Sequence, residues 1–254
     1  MSLDEAILES VSRGQSPPTL RLYAWSPGCL SLGYAQPVGD ADPGRLAAAG
    51  WDLVRRPTGG KAILHIDELT YSLATPASLA VVAGGVLPSY QRLSQALVAA
   101  LARLGVDVQV QADSRPQQAQ QADPICFQVP SPYEITAQAK KLIGSAQVRR
   151  KDGVLQHGSL PLSGDIARIC RVLRYADDAQ RAAAEQSVRA RATTLEACLG
   201  QSISWDHAAA GMADGFRSAL EVELVAEDLS PEESARAESL LSQKYAAQGW
   251  TERV

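Results

Sequence analysis

Polar and apolar positions change their spacing several times along the chain. From residue 2 to about residue 13 apolar residues recur at helical spacing, and Ser2-x-x-Glu5 reads as a capping box. A helix starting at residue 2 is abrupt and suggests a strand upstream of it. Residues 20–25 and 29–34 alternate with period two around the Ser26-Pro27-Gly28 turn, so the second strand is expected to return beside the first. A short helix over 43–49 ends at Gly50. Strands are expected over 51–56, 61–66 and 69–74, with the tight turn Pro57-Thr58-Gly59-Gly60 between the first two. The longest helix covers 86–104, carries the stripe Leu93, Leu97, Ala100, Leu101 and Leu104, and stops at Gly105.

A strand over 106–110 follows. Residues 111–124 have no periodicity, and a loop of that length in a compact domain usually serves as a lid or binding loop. Further strands are expected near 133–137, 141–149 and 153–162. After Gly164 the spacing turns helical, over about 165–174, 177–191, 194–199, 205–221 and 231–247. The last helix opens on a second capping box, Ser230-Pro231-Glu232-Glu233. Strands first and helices afterwards argue for an α+β fold rather than a regular βαβ array. The expected organisation is a single domain over 1–254, with a strand-rich core at 1–164 and a helical part at 165–254.

Composition narrows the function classes. With 46% apolar and 20% charged residues the 254-residue chain has an ordinary globular balance. A net charge of −4 gives no support for nucleic-acid binding. No apolar run approaches the roughly 20 residues of a membrane span. The start, MSLDEAILESV, lacks a basic segment followed by an apolar one, so a cytoplasmic protein is expected. Cys29, Cys126, Cys170 and Cys198 form no C-x-x-C pair and cluster with no histidine, which argues against zinc and against a disulfide framework. Cys29, Cys170 and Cys198 sit in apolar patterns and read as small buried hydrophobes.

Candidate chemistry concentrates in residues 126–160. Cys126 stands where a polar loop meets a strand, and reads either as a thiol that substrate can reach or as a buried inert cysteine, the usual state of a lone cysteine. A thiolate nucleophile needs something to lower its pKa from roughly 8.5, and Lys140 or Lys141 would do so, with only one of the two able to face inward on a strand. Gly144-Ser145-Ala146 and Gln156-His157-Gly158-Ser159 read as small and polar turns. The Arg55-Arg56-Pro57-Thr58-Gly59-Gly60 turn offers backbone N–H groups and two arginines to an anion, or is a plain hairpin turn with solvated arginines, which its spacing favours. His65 and His157 each read either as a substrate hydrogen-bond donor or as a satisfied structural histidine. His207 reads as a surface residue, and residues 149–153 most simply as a solvated hairpin tip, or else as a dock for an acidic partner.

Several of these stretches share one resemblance. RRPTGGKAILH at 55–65, ELTYS at 68–72, CFQVPSPYE at 126–134 and KKLIGSAQVRRKDGVLQHGS at 140–159 are similar to the lipoate ligase/biotin ligase-like superfamily. Within it the chain most resembles the cysteine-dependent octanoyl-[acyl-carrier-protein]:protein N-octanoyltransferases of lipoate biosynthesis. SLDEA at 2–6, WSPGCLSLGY at 25–34 and KYAAQGW at 244–250 also fit. The resemblance implies a mixed, largely antiparallel sheet flanked by helices, like the class II aminoacyl-tRNA synthetase/biotin synthetase catalytic domain, with a helical C-terminal part. It implies Cys126 as the acyl-thioester nucleophile and Lys141 as the group that lowers its pKa. The octanoyl pocket would be lined by Arg56, Thr58, Gly59, Gly60, His65, Gly144, Ser145, Ala146, His157 and Gly158. No cofactor and no metal are implied. The donor would be octanoyl-acyl carrier protein, and the acceptor a lysine of a lipoyl domain or of the glycine-cleavage carrier protein. The family usually has a strand before SLDEA, and often an acid at the position of Ile66. Alternative readings are an amidotransferase between lipoyl-type proteins, an ATP-dependent lipoate-protein ligase, and a silent binding module for lipoylated partners.

Overall fold

The structure, a computed structural model, describes residues 1–111, 125 and 134–254. The chain opens with α1 (Ser2–Ser12), then β1 (Thr19–Tyr23), β2 (Cys29–Leu32), α2 (Pro43–Ala49), β3 (Asp52–Arg55), β4 (Ile63–His65) and β5 (Glu68–Pro76). It continues with α3 (Val86–Arg103), β6 (Gln109–Gln111), β7 (Glu134–Ala137), β8 (Lys140–Arg149) and β9 (Gly153–Pro161). A 3₁₀ segment, Ile166–Arg171, precedes α4 (Asp178–Arg191), α5 (Leu195–Leu199), α6 (Trp205–Leu220) and α7 (Pro231–Leu240). A π turn at Leu241–Tyr245 and α8 (Gln248–Thr251) end the chain.

The large sheet has the order β1-β5-β9-β8-β7-β6 and is antiparallel throughout. A second sheet, β3-β2-β4, pairs β2 parallel to β3 and antiparallel to β4. The expected mixed α+β architecture with a helical C-terminal part is therefore present. Central strands β5 and β9 are buried along almost their whole length because helices cover both faces. On one face α3 and α6 pack their apolar stripes over Leu69, Tyr71, Leu142 and Leu160. On the other, Ile7, Leu8 and Val11 of α1 cover Ala74 and Leu155. Among the described residues no helix is long and apolar enough to cross a membrane.

Several expectations need correction. β2 does not return beside β1: β1 pairs with β5, and β2 leads the small sheet. The Pro57–Gly60 turn is not a hairpin, since β3 and β4 both pair with β2 and not with each other. Ser2 caps nothing; Met1 is the N-cap without a side-chain bond, and Glu5 is drawn instead to Lys244 and Tyr245. Tertiary partners outcompete a local cap. The Ser230–Glu233 box, with no such competitor, forms as expected. Residues 144–146 and 156–159 are paired strand rather than turns: Gly144 faces Ser159, Ser145 faces Gly158 and Ala146 faces His157. The expected helix at 165–174 is the shorter 3₁₀ segment.

Candidate active site

Strand register builds the site. Opposed residues in an antiparallel pair share a face. Ser72 faces His157 and Thr70 faces Ser159, so β5 and β9 set hydroxyls and an imidazole side by side. Among the described residues β8 changes partner here: its first residues pair with β7, and from Gly144 onward it pairs with β9. A cavity of about 280 Å³ lies at that change. Its walls are residues 144–147 and 157–159, the Arg56–Gly60 turn with Ile63 and His65, and Val86, Leu87 and Tyr90 at the start of α3. Val86 and Leu87 are about half exposed and form its mouth.

Glycine is required at Gly158 in this wall and at Gly33 behind it. A Cβ on Gly33 would stand 1.8 Å from the Gly60 carbonyl oxygen, so the turn rests directly on the backbone after β2. One on Gly158 would meet Tyr71 Cε1 at 2.5 Å and Ser145 Oγ at 2.7 Å, closing the cavity floor.

Arg55 and Arg56 are buried rather than solvated. Arg56 donates to the carbonyls of Ser31, Gly59 and Lys61, and so holds the turn from beneath. Arg55 donates to the carbonyls of Gly33, Gln36 and Thr251. These main-chain acceptors occupy the guanidinium donors that the hairpin reading left to solvent. Among the described residues the N–H groups of Gly59 and Gly60 have no acceptor, and both residues line the cavity.

Each histidine of the wall stands between a carboxylate and a hydroxyl. His65 Nδ1 lies 2.7 Å from Glu68 Oε1 and Nε2 lies 2.8 Å from Ser31 Oγ, while Trp25 stacks on the ring at 4.4 Å. His157 Nδ1 lies 3.8 Å from Asp4 Oδ2, and Nε2 lies 2.7 Å from Thr58 Oγ1. Burial pushes the His157 pKa below its ordinary value against the opposing pull of Asp4, so the ring is neutral near pH 7. A carboxylate beside Nδ1 favours the proton there and leaves Nε2 to accept from Thr58. Asp4 is itself buried. Desolvation works against its charge, but His157 and Arg21 counter that, and the carboxyl is held well below the usual carboxylate range. It also accepts from Arg21, Tyr23 and Ser72, each at 2.8 Å. On the α3 side the Tyr71 hydroxyl meets Ser145 Oγ at 2.7 Å, and burial pushes its pKa up to about 12.

Lys141 is the inward member of its pair, as strand alternation requires. It is buried, and its Nζ lies 2.6 Å from Glu134 Oε1. A buried ammonium needs such a partner. Lys140 instead donates to the Arg189 carbonyl. Lys141 does not line the main cavity. Glu134 does border a small adjoining space that shares Tyr90 and Ser145 with it.

A model of the lipoyl protein ligase A/B catalytic domain matches residues 1–217. The chain belongs to that family. Proteins called octanoyltransferase LipM from Kyrpidia tusciae and Symbiobacterium thermophilum are 39% and 38% identical to it, over all of this chain and 93% of theirs. Among solved structures, a bipartite lipoate protein ligase from Thermoplasma acidophilum matches with a TM-score of 0.81 at 23% identity, over 99% of this chain and 89% of that one. A lipoate-protein ligase A crystallised with ATP matches with a TM-score of 0.80 at 24% identity, over 99% and 92%. At these identities the two structures establish the fold.

The lipoyl ligase fold gathers most of the expected site residues. Arg56, Gly59, Gly60, His65, Gly144, Ser145, Ala146, His157 and Gly158 line one cavity, and Thr58 lies buried behind it on His157. Cys126 and the 112–124 loop lie outside the described residues. Ile125 is buried and bridges to Ala62, the neighbour of the cavity residue Ile63. His207 is exposed on α6, as expected. Burial drives the Cys29 thiol up to about 12, consistent with an inert buried thiol. Sequence reasoning missed Asp4, Glu68 and Glu134. Asp4 had a signal: it stands in register with Ile7, Leu8 and Val11 on the apolar face of α1, where an acid has no place without buried partners.

Proposed function

We propose that the protein transfers an octanoyl group from octanoyl-acyl carrier protein to a lysine of a lipoyl domain or of the glycine-cleavage carrier protein, through a thioester on Cys126. The Cys126 thiolate attacks the donor carbonyl, the C–S bond to the carrier breaks, and the carrier leaves as its thiol. The acceptor amine then attacks the new thioester, and the cysteine leaves as the amide forms. The first exchange trades one thioester for another and needs no ATP, while amide formation drives the second step downhill. Lys141 favours the thiolate and takes part in the proton transfers, with Glu134 fixing the position of its ammonium. Gly59 and Gly60 N–H groups stabilise the oxyanion of each addition.

The observation that carries this reading is the small cavity with two N–H groups at its rim that have no acceptor among the described residues. Its volume of about 280 Å³ lies just below the about 300–1,000 Å³ usual for ligand pockets. That suits a short acyl chain, whose burial contributes about 0.8 kcal/mol per methylene. The names and near-complete coverage of the curated relatives support the same reaction.

Mixing the protein with octanoyl-carrier should add one octanoyl group by intact mass, and adding apo-lipoyl domain should discharge it without ATP. If Cys126→Ala octanoylates lipoyl domains at the normal rate, the covalent mechanism is wrong. A strict ATP requirement would return the protein to the ligases, and preference for an octanoylated lipoyl-type donor would make it an amidotransferase.

A further inference from the structure

A second depression opens beside the acyl cavity, and the reaction above assigns it nothing. It encloses about 590 Å³ and shares Gly59, Gly60 and Gln147 with the cavity, so the two meet at the Pro57–Gly60 turn. Lys61 and Arg150 both line it, one following the turn and the other at the β8–β9 tip. Their side chains have no acidic partner among the described residues. Tyr34, also on this wall, is held by Arg253, which donates to its hydroxyl at 2.9 Å and lies 4.1 Å above its ring. Among the described residues no carboxylate side chain lines the groove, and Asp40 accepts from the lining residue Gln36 at 2.8 Å. In a chain of net charge −4, an opening with two uncommitted cations is a local reversal of sign.

We propose that this groove binds the phosphate of the arm on which the acyl thioester is delivered. The inference rests on the thioester-donor reading above. An acyl carrier presents its thioester at the end of a long neutral arm tethered through a phosphodiester, the arm's only charge. With the thioester carbonyl at the Gly59–Gly60 turn, the acyl tail enters the cavity and the arm leaves along the groove between Lys61 and Arg150. The phosphate then accepts charge-assisted hydrogen bonds at a cationic rim. Rim charges of this kind govern capture and selectivity more than the chemical step.

The test compares two donors that differ only in the phosphate, octanoyl-phosphopantetheine and octanoyl-pantetheine. The wild type is expected to favour the first about tenfold in kcat/KM, the worth of one charged hydrogen bond. In Lys61→Gln/Arg150→Gln that ratio is expected to fall towards one, while Lys61→Arg keeps it. A ratio near one in the wild type, or an undiminished ratio in the double variant, overturns the proposal. Calorimetric titration with phosphopantetheine and with pantetheine reads the groove without acyl transfer. Loss of phosphate discrimination in the double variant would support the groove even if lipoyl domains are not octanoylated, which would then count against the transfer reaction alone. If ATP binds through Lys61 and Arg150 and phosphopantetheine does not, the phosphate belongs to a nucleotide and the donor assignment fails.

Discussion

Two buried groups, Asp4 and His157, carry the most specific electrostatics of the molecule. The ring is neutral because burial penalises its charged form, and Asp4 is the main influence resisting that. An NMR titration of the His157 ring should therefore give a midpoint below the ordinary value of about 6.5. Asp4→Asn should lower it further, since it removes the charge that favours protonation. An unchanged midpoint would mean that the 3.8 Å separation carries no coupling. Asp4→Asn should also destabilise the fold by about 3 kcal/mol, because it removes the buried charge and one of the two acceptor oxygens that Arg21, Tyr23 and Ser72 share. Both histidines of the wall were visible in the sequence as ambiguous residues. Their carboxylates were not, because residue 4 meets residue 157 only once α1 lies across β9.

At the scale of elements, the Pro57–Gly60 turn depends on what lies beneath it. Gly33→Ala should push the Gly60 carbonyl away, cost about 1–3 kcal/mol of stability and weaken acyl transfer by more than the stability loss explains. Denaturant melts beside single-turnover assays separate the two effects. Helix α1 is the second dependent element. Its Glu9 pairs with Arg236, and that hydrogen bond is the main reason its carboxyl is held below the ordinary range. Asp4 is held low as well. A carboxyl depressed on folding contributes stability that is present above its unfolded pKa, about 4, and is lost as pH falls through its folded value. The depressed histidine pushes the same way from higher pH, since the unfolded chain protonates first. Urea midpoints should therefore begin to fall below about pH 6.5, where the unfolded chain takes up the histidine proton, and fall again below about pH 4 through the carboxyls, where Asp4→Asn should flatten the slope. The opposite slope would show that these groups do not set the acid limb.

Across the whole molecule, the C-terminal helices and the site are one mechanical system. Glu5 of α1 is held by Lys244 and by the Tyr245 hydroxyl, and Arg55 under the turn donates to the Thr251 carbonyl. Removing residues 230–254 would leave Glu5 and Arg55 without those partners. The melting temperature should then drop by at least about 5 °C, with transfer activity falling in step. A truncated chain that kept full activity would separate the helical end from the site. The sequence by itself determined the elements and the family. Period-two and helical spacing found nearly every strand and long helix, and the RRPTGG and LQHGS motifs marked residues that do converge, because periodicity and local chemistry are properties of neighbours along the chain. Only the tertiary structure decided that β2 leaves β1 for another sheet, that the glycine stretches are strand rather than turn, that Arg55 and Arg56 face inward, and that Glu134 holds Lys141. Most of those outcomes depend on partners tens to hundreds of positions away, and even the seven-residue Glu134–Lys141 pair needs a strand turn and burial, so their competition with local preferences is settled only when the chain packs.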